Sequence, residues 1–367
     1  MSAATQAKPV LFVTGHAPAY RTGAFAELHE REHVQFALFG GRLKHGGGST
    51  ATDLPFPHLH VSEQAAYELA ASGRYRAVVC STGGRVALPA GWAGARRARV
   101  PLILWCSLWA HPRTPAHAAS YLALRRLYRS ADALVTYGPH VSAYVRAYGA
   151  RNVHVAPQAV DNAFWSSDDV SPPNGSDWPT NANTKFLFAG RPAREKGLGV
   201  LFEAWSMSGL QAPTAALVLV GTGPSPPWVP AGGAVAGFEA VPASKLRDFY
   251  AASDVLVVPS IATRSFREPW GLVVNEAMNQ GLTVIASDAV GAAAGGLVRN
   301  GHNGAIVPAG DPIALAATMR KLAGDADERR QLGAAGRRDV AAYDFKAWAA
   351  GFADALASVG CSRGGVR

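Results

Sequence analysis

Over residues 1–165, short continuous apolar runs alternate with segments whose apolar positions recur at helical spacing. The runs fall at 10–13, 34–39, 77–80, 102–106, 133–137 and 153–156. Strands without polar alternation are covered on both faces, and helical spacers between them imply parallel crossovers. An α/β domain is therefore expected over 1–165. Residues 166–184 break the pattern with Ser, Asp, Asn, Gly and the prolines Pro172, Pro173 and Pro179, and they read as an interdomain linker. A second series of runs follows at 185–189, 216–220, 235–237, 255–258, 283–286 and 305–307, which predicts a second doubly wound domain over 185–342. Helical periodicity occupies 311–322 and 325–342. A last amphipathic helix is expected within 343–360, and 361–367 reads as a frayed tail. Two tandem Rossmann-like domains would set the carboxyl ends of their strands, where such sheets bind ligands, on either side of a cleft.

The chain has 367 residues, 49% of them apolar, which is enough for two cores. Charged residues are only 17%, yet they leave a net charge of +9, so an anionic partner is expected. Nucleic acid is not that partner: there is no long Lys/Arg run, no zinc-ligand spacing and no aromatic-basic RNA-binding signature. Cys80, Cys106 and Cys361 are odd in number and far apart, and the first two sit in core-like runs, so no disulfide is expected. The run 10–13 is too short for a signal-peptide core, and nothing approaches the roughly 20 apolar residues that cross a bilayer. The reading is cytoplasmic, with peripheral contact at the inner face of an anionic membrane left open. Arg96, Arg97 and Arg99 form one basic group, and Arg125, Arg126 and Arg129 lie among Tyr121, Leu122, Leu124, Leu127 and Tyr128. An ordinary half-buried helix with solvated arginines fits the same pattern.

Candidate chemistry concentrates in the second half. The run 185–189 is followed by Gly190-Arg191-Pro192-Ala193-Arg194-Glu195-Lys196-Gly197 and then a helical pattern. Arg191 and Lys196 in a strand-to-helix loop set two cations beside outward-pointing amides, an arrangement that suits a diphosphate. A second motif, Arg267-Glu268-Pro269-Trp270-Gly271-Leu272-Val273-Val274-Asn275-Glu276-Ala277-Met278, places Pro269 in an expected first helical turn and Gly271 where a ligand can approach the backbone. On that reading Glu268 stands at the ligand-facing end and Glu276 inside the helix. A glutamate among Leu272, Val273, Val274, Ala277 and Met278 is costly to bury without a partner, and ribose hydroxyls would serve.

Together with Pro259-Ser260, Val220-Gly221-Thr222-Gly223-Pro224, the stretch 250–254 and Gly301-His302-Asn303-Gly304, these motifs resemble the family 4 retaining glycosyltransferases. The resemblance covers 185–357. In the first half it thins to Ala131-Asp132-Ala133 and Pro157-Gln158-Ala159-Val160-Asp161. It implies the GT-B fold, with the terminal helix crossing back to the first domain, and transfer of a sugar from a nucleotide-diphosphate donor. It further implies that Gly190, Arg191 and Lys196 meet the donor diphosphate, that the amides of Gly271 and Leu272, beside Trp270, hold its distal phosphate, and that Glu276 holds the ribose. Glu268 would contact the transferred sugar, and the loop Gly221 to Gly223 with Phe238 and Val241 would frame the base. Two cations at this loop make a divalent metal unnecessary, and the chain is read as lacking an Asp-x-Asp pair to hold one, so neither metal nor cofactor is expected. The acceptor stays open between a glycan, a lipid-linked intermediate and a natural-product aglycone.

In the first half, His111 matches where the family sets a histidine against the donor sugar, ahead of His117 and His16. The loop Thr14-Gly15-His16-Ala17-Pro18-Ala19-Tyr20-Arg21-Thr22-Gly23 departs from the family's paired glycines, which leaves Gly15 and Arg21 as its phosphate candidates. A sugar-nucleotide epimerase on the same fold is the main alternative, a phosphorylase or a non-catalytic binding module a more distant one.

Overall fold

The computed structural model describes residues 8–40, 54–173, 178–223 and 234–363, without the side chains of Ala116, His117 and Ala119. The chain divides into two compact units, Met1–Ala159 with Asp344–Arg367, and Val160–Tyr343.

The first unit holds seven strands: β1 (Val10–Thr14), β2 (Val34–Leu38), β3 (His58–His60), β4 (Ala77–Ser81), β5 (Leu102–Cys106), β6 (Ala133–Thr136) and β7 (Val153–Val155). They form one parallel sheet in the order β3-β2-β1-β4-β5-β6-β7. Every residue of β1 and β5 is buried, as strands sandwiched between helices must be. One face carries an aromatic core in which Phe12, Phe25, Phe36 and Trp105 meet Trp348 and Phe352. The last two come from the helix Phe345–Ser358, whose Trp348, Ala349, Phe352, Ala355 and Leu356 recur at helical spacing and are all buried. Hydrophobic periodicity thus returns the end of the chain to the first unit. The expected frayed tail is, over its described part, held down: the Cys361 thiol donates to the Arg76 carbonyl at 3.3 Å, the Arg76 guanidinium donates to the Cys361 carbonyl at 2.8 Å, and the Arg363 amide donates to Glu32 at 3.0 Å.

The second unit repeats the plan with β8 (Thr184–Ala189), β9 (Ala215–Val220), β10 (Val235–Phe238), β11 (Val255–Val258), β12 (Thr283–Ser287) and β13 (Gly304–Val307), in the order β10-β9-β8-β11-β12-β13. The described part of 166–184 is not a free linker. It belongs to the second unit, where Trp178 is buried against Phe249 with ring centroids 5.7 Å apart and the Ser171 amide donates to Asp248 at 3.0 Å. The same device steadies both sheets: Asp132 accepts from the Leu102 amide at 2.8 Å, and Asp254 from the Lys185 amide at 2.7 Å, each joining a strand to its neighbour's start. Among the described residues no helix is long and apolar enough to cross a membrane, and the three cysteines are free.

Candidate functional site

Strand order reverses between β1 and β4 in the first sheet and between β8 and β11 in the second. Loops leaving the carboxyl ends diverge at such a point, and the crevice they leave is where open α/β sheets bind ligands. In the second unit three strand ends are drawn together there. The Gly190 amide donates to the Val220 carbonyl at 2.9 Å, and the amides of Gly221 and Gly223 donate to the Phe238 carbonyl at 2.9 and 3.2 Å. Gly221 has φ +90°, and a Cβ on it would lie 2.8 Å from the Gly190 carbonyl oxygen, so the close approach of these backbones requires glycine. Phe238 packs edge-on against Phe249 at 4.9 Å, and Val241, just past β10, is half-buried. Pro224 lies outside the described residues.

After Gly190 the chain makes a single turn at Arg194–Lys196 and enters the helix Leu198–Ser208 through Gly197, at φ +71°. A Cβ at Gly197 would come within 1.9 Å of the Pro259 carbonyl oxygen, so the turn lies directly on the end of β11, and the Ile261 amide donates to the Glu195 carbonyl at 2.9 Å. This seating carries Lys196 to Glu268: Nζ lies 2.6 Å from Oε2, with the two side chains 22% and 10% exposed. Arg191 pairs with Glu195 at 2.5 Å and stays half exposed.

Glu268 does not precede a helical turn at Pro269 as expected. It bridges Val290 in parallel fashion, the Gly291 amide donates to its carbonyl at 3.1 Å, and the Ala292 amide donates to the Trp270 carbonyl at 2.8 Å. These contacts hold 268–270 extended, so the helix begins only at Val273, after Gly271 at φ +91°. The first amides of a helix have no partner within it, and here they belong to the stretch that follows Gly271. Glu276, in that helix, accepts a hydrogen bond from the Tyr250 hydroxyl at 2.8 Å. Burial raises the Glu276 carboxyl to a pKa of about 7, with the Tyr250 bond pulling the other way. Trp270, expected beside the donor, is instead packed away: it is 3% exposed, and its indole donates to Asn275 at 2.7 Å, leaving the side chain no open face.

The first unit meets its candidates differently. Gly15 follows β1, its carbonyl accepts from the Gly40 amide, and a Cβ on it would lie 3.9 Å from the Phe39 ring. Arg21 is anchored: its guanidinium donates to Gln158 at 2.6 Å and to the Tyr137 hydroxyl at 3.1 Å, and it lies 4.7 Å from the centre of the Trp105 ring. Burial, and then the Arg21 charge, lower the His16 pKa. His111 follows β5, with Nδ1 3.4 Å from the Tyr144 hydroxyl and its ring edge-on to Tyr121 at 5.4 Å. It lines a cavity of about 710 Å³ together with Arg113, Thr114, Tyr121 and Tyr148. The His117 side chain is outside what is described.

Sequence reasoning missed the pairings: Tyr250 with Glu276, Glu195 with Arg191, and Lys196 with Glu268. The late Gly301-His302-Asn303-Gly304 turn is structural, with Asn303 buried, accepting from the Arg299 amide at 2.7 Å and donating to Asp339 at 2.8 Å. The sequence does contain an Asp-x-Asp, Asp325-Ala326-Asp327, but it opens the helix Ala326–Val340: Asp325 caps the Glu328 amide and Asp327 pairs with Arg330. Among the described residues no group of three or more His, Cys, Asp or Glu is placed to hold a metal ion.

Two parallel sheets of this order, with cations, glycines and a glutamate gathered at the reversal point of the second, define the GT-B glycosyltransferase fold. Residues 183–325 match Glycosyl transferases group 1. The chain is 30% identical over 303 residues to the D-inositol 3-phosphate glycosyltransferase of Xylanimonas cellulosilytica, an alignment that takes in 73% of this chain and 69% of that protein. It therefore belongs to that family and is a glycosyltransferase, which lends the epimerase alternative no support. Its fold is similar to that of Anabaena HepE, solved in complex with UDP and glucose, with a TM-score of 0.71, 18% identity and coverage of 96% of this chain and 100% of that one. It is also similar to trehalose-6-phosphate synthase, solved in work on glycosyltransfer with retention, with a TM-score of 0.69, 14% identity and coverage of 95% and 99%.

Proposed function

We propose that the protein transfers a sugar from a nucleoside-diphosphate donor with retention at the anomeric carbon and without a metal ion. The observation that carries this reading is the Lys196–Glu268 pair at 2.6 Å, seated at the reversal point of the second sheet. Donor binding exchanges that contact for two others: Lys196 and Arg191 turn to the diphosphate, and Glu268 to the hydroxyls of the transferred sugar. The amides of Gly271 and Leu272 hold the distal phosphate. Glu276 accepts from the ribose, the Gly190 and Gly221–Gly223 backbones make room for the nucleotide, and Phe238 and Val241 flank its base. As the glycosidic bond breaks, negative charge gathers on the leaving diphosphate. Fixed cations and amides stabilise that state more than the ground state, which is how binding becomes rate. The UDP of the HepE complexes and the retention studied in the trehalose-6-phosphate synthase support this reading.

A panel of UDP- and GDP-sugars, with D-inositol 3-phosphate as the first acceptor because it names the relative's reaction, tests it. Turnover unchanged in EDTA and a product of retained configuration by NMR are expected. Turnover abolished by EDTA and restored by magnesium, or an inverted product, would contradict it.

A further inference from the structure

Between residues 69 and 131 the sequence holds ten arginines and no Asp, Glu or Lys. That one-sided stretch supplies the helix Pro115–Ser130, along which Leu122, Arg126 and Arg129 follow at intervals of four and three and so share a face. Leu122 is 72% exposed, and Arg126 and Arg129 are exposed with it, whereas Tyr128 on the opposite side is 1% exposed. The end of this helix is tied to the end of the helix Ala87–Ala98. The Arg96 guanidinium donates to the Ser130 carbonyl at 2.9 Å, and the Trp92 indole donates to the Ser130 hydroxyl at 3.1 Å. Exposed Arg96, Arg97 and Arg99 thereby join Arg126 and Arg129 near one helix junction. The nearest carboxylate along the chain, Asp132, is engaged by the Leu102 amide at 2.8 Å.

We infer that this face of the first unit docks on the surface of an anionic lipid bilayer. The charge complements phosphate headgroups, and because Leu124, Leu127 and Tyr128 of the helix pack into the first unit's core, the contact is made by the outward arginines at headgroup level. Leu122, exposed beside the arginines, reaches toward the acyl-chain boundary when they sit among headgroups, which favours a bilayer over a nucleic acid. The inference is independent of the donor reading above.

Co-sedimentation of the full chain with phosphatidylglycerol vesicles and with phosphatidylcholine vesicles, at low and physiological salt, tests it. The protein is expected on the anionic vesicles and to leave them as salt rises. With each basic residue contributing about five-fold, Arg126→Gln with Arg129→Gln lowers the partition coefficient on the order of 30-fold. Arg126→Lys with Arg129→Lys retains binding, because a point charge suffices at a headgroup layer. Leu122→Ser lowers it by roughly ten-fold through lost apolar burial without adding a charge. Thermal midpoints by circular dichroism verify that the variants are folded, and the Lys pair keeps the test decisive if the Gln pair melts early. Equal sedimentation with both lipids, sedimentation with neither, or capture by duplex DNA without vesicle binding would overturn the inference.

Discussion

In the second unit the candidate cations pair with carboxylates, one within its own loop and one on the loop after β11, whereas in the first unit the candidate cation is anchored by neutral groups and rings. Lys196 meets Glu268 and Arg191 meets Glu195; Arg21 meets Gln158, the Tyr137 hydroxyl and the face of Trp105. The difference lies in how readily each cation can be released. A cation paired with a carboxylate can trade that partner for an incoming phosphate at small net cost. An arginine held by two hydrogen bonds and stacked on Trp105 gives up packing as well as charge if it moves.

Truncating one cation in each unit gives the largest expected effect. Lys196→Ala removes a charge-assisted contact and leaves the Glu268 carboxylate buried without its ion pair, so nucleoside-diphosphate affinity falls by roughly 100-fold, near the upper end of about 1.5–3 kcal/mol for such contacts. Arg21→Ala leaves that affinity at the wild-type level and lowers the thermal midpoint instead. Calorimetric titration beside a melting curve reads both, and a matching loss of affinity in Arg21→Ala would erase the distinction.

Glu276 sharpens it through pH. In the folded chain its carboxyl is raised from 4.5 to about 7. The folded state therefore binds more protons than the unfolded one between those values, and stability declines as pH rises through that window. Glu276→Gln lacks this decline, so from pH 5 to pH 8 wild type loses roughly 2 kcal/mol more than the variant. Donor affinity of wild type runs the other way, rising as the carboxylate forms near pH 7. Parallel midpoint curves for the two proteins would count against the raised carboxyl.

The smallest expected effect belongs to Trp270. Trp270→Phe keeps one aromatic ring of the two but removes the indole N–H that donates to the fully buried Asn275 side chain, along with some buried volume, for a loss of stability of about 2 kcal/mol. Diphosphate affinity stays unchanged, and a drop there would restore Trp270 to the donor site.

Much of this was legible because the relevant signals are local. The runs at 10–13 and 185–189, and the loop from Gly190 to Gly197, each carry strand, turn and cation within a few residues. What was illegible depends on partners far along the chain. Strand β3 escaped notice because His58 and His60 are too polar and too few to make a run. The stretch 166–184 read as linker from its prolines, while the signal that mattered was the single aromatic Trp178, buried on Phe249. Pro269 suggested a helix start, and its bridge-forming neighbour Glu268 overrode that suggestion through Val290. Lys196 and Glu268 meet because the sheet brings β8 and β11 side by side, and Tyr250 and Glu276 because the helices on either side of β11 in the chain pack together.

The account rests on Glu276 holding the ribose and Glu268 the transferred sugar, and one calorimetric experiment separates them. UDP and the matching UDP-sugar are titrated into Glu276→Gln and Glu268→Gln, both nearly isosteric changes. Glu276→Gln is expected to weaken both ligands, since both carry the ribose. Glu268→Gln is expected to leave UDP binding nearly intact while weakening the sugar nucleotide and depressing turnover. Equal losses for both ligands in both variants would contradict the assignment and send the search for the donor site elsewhere.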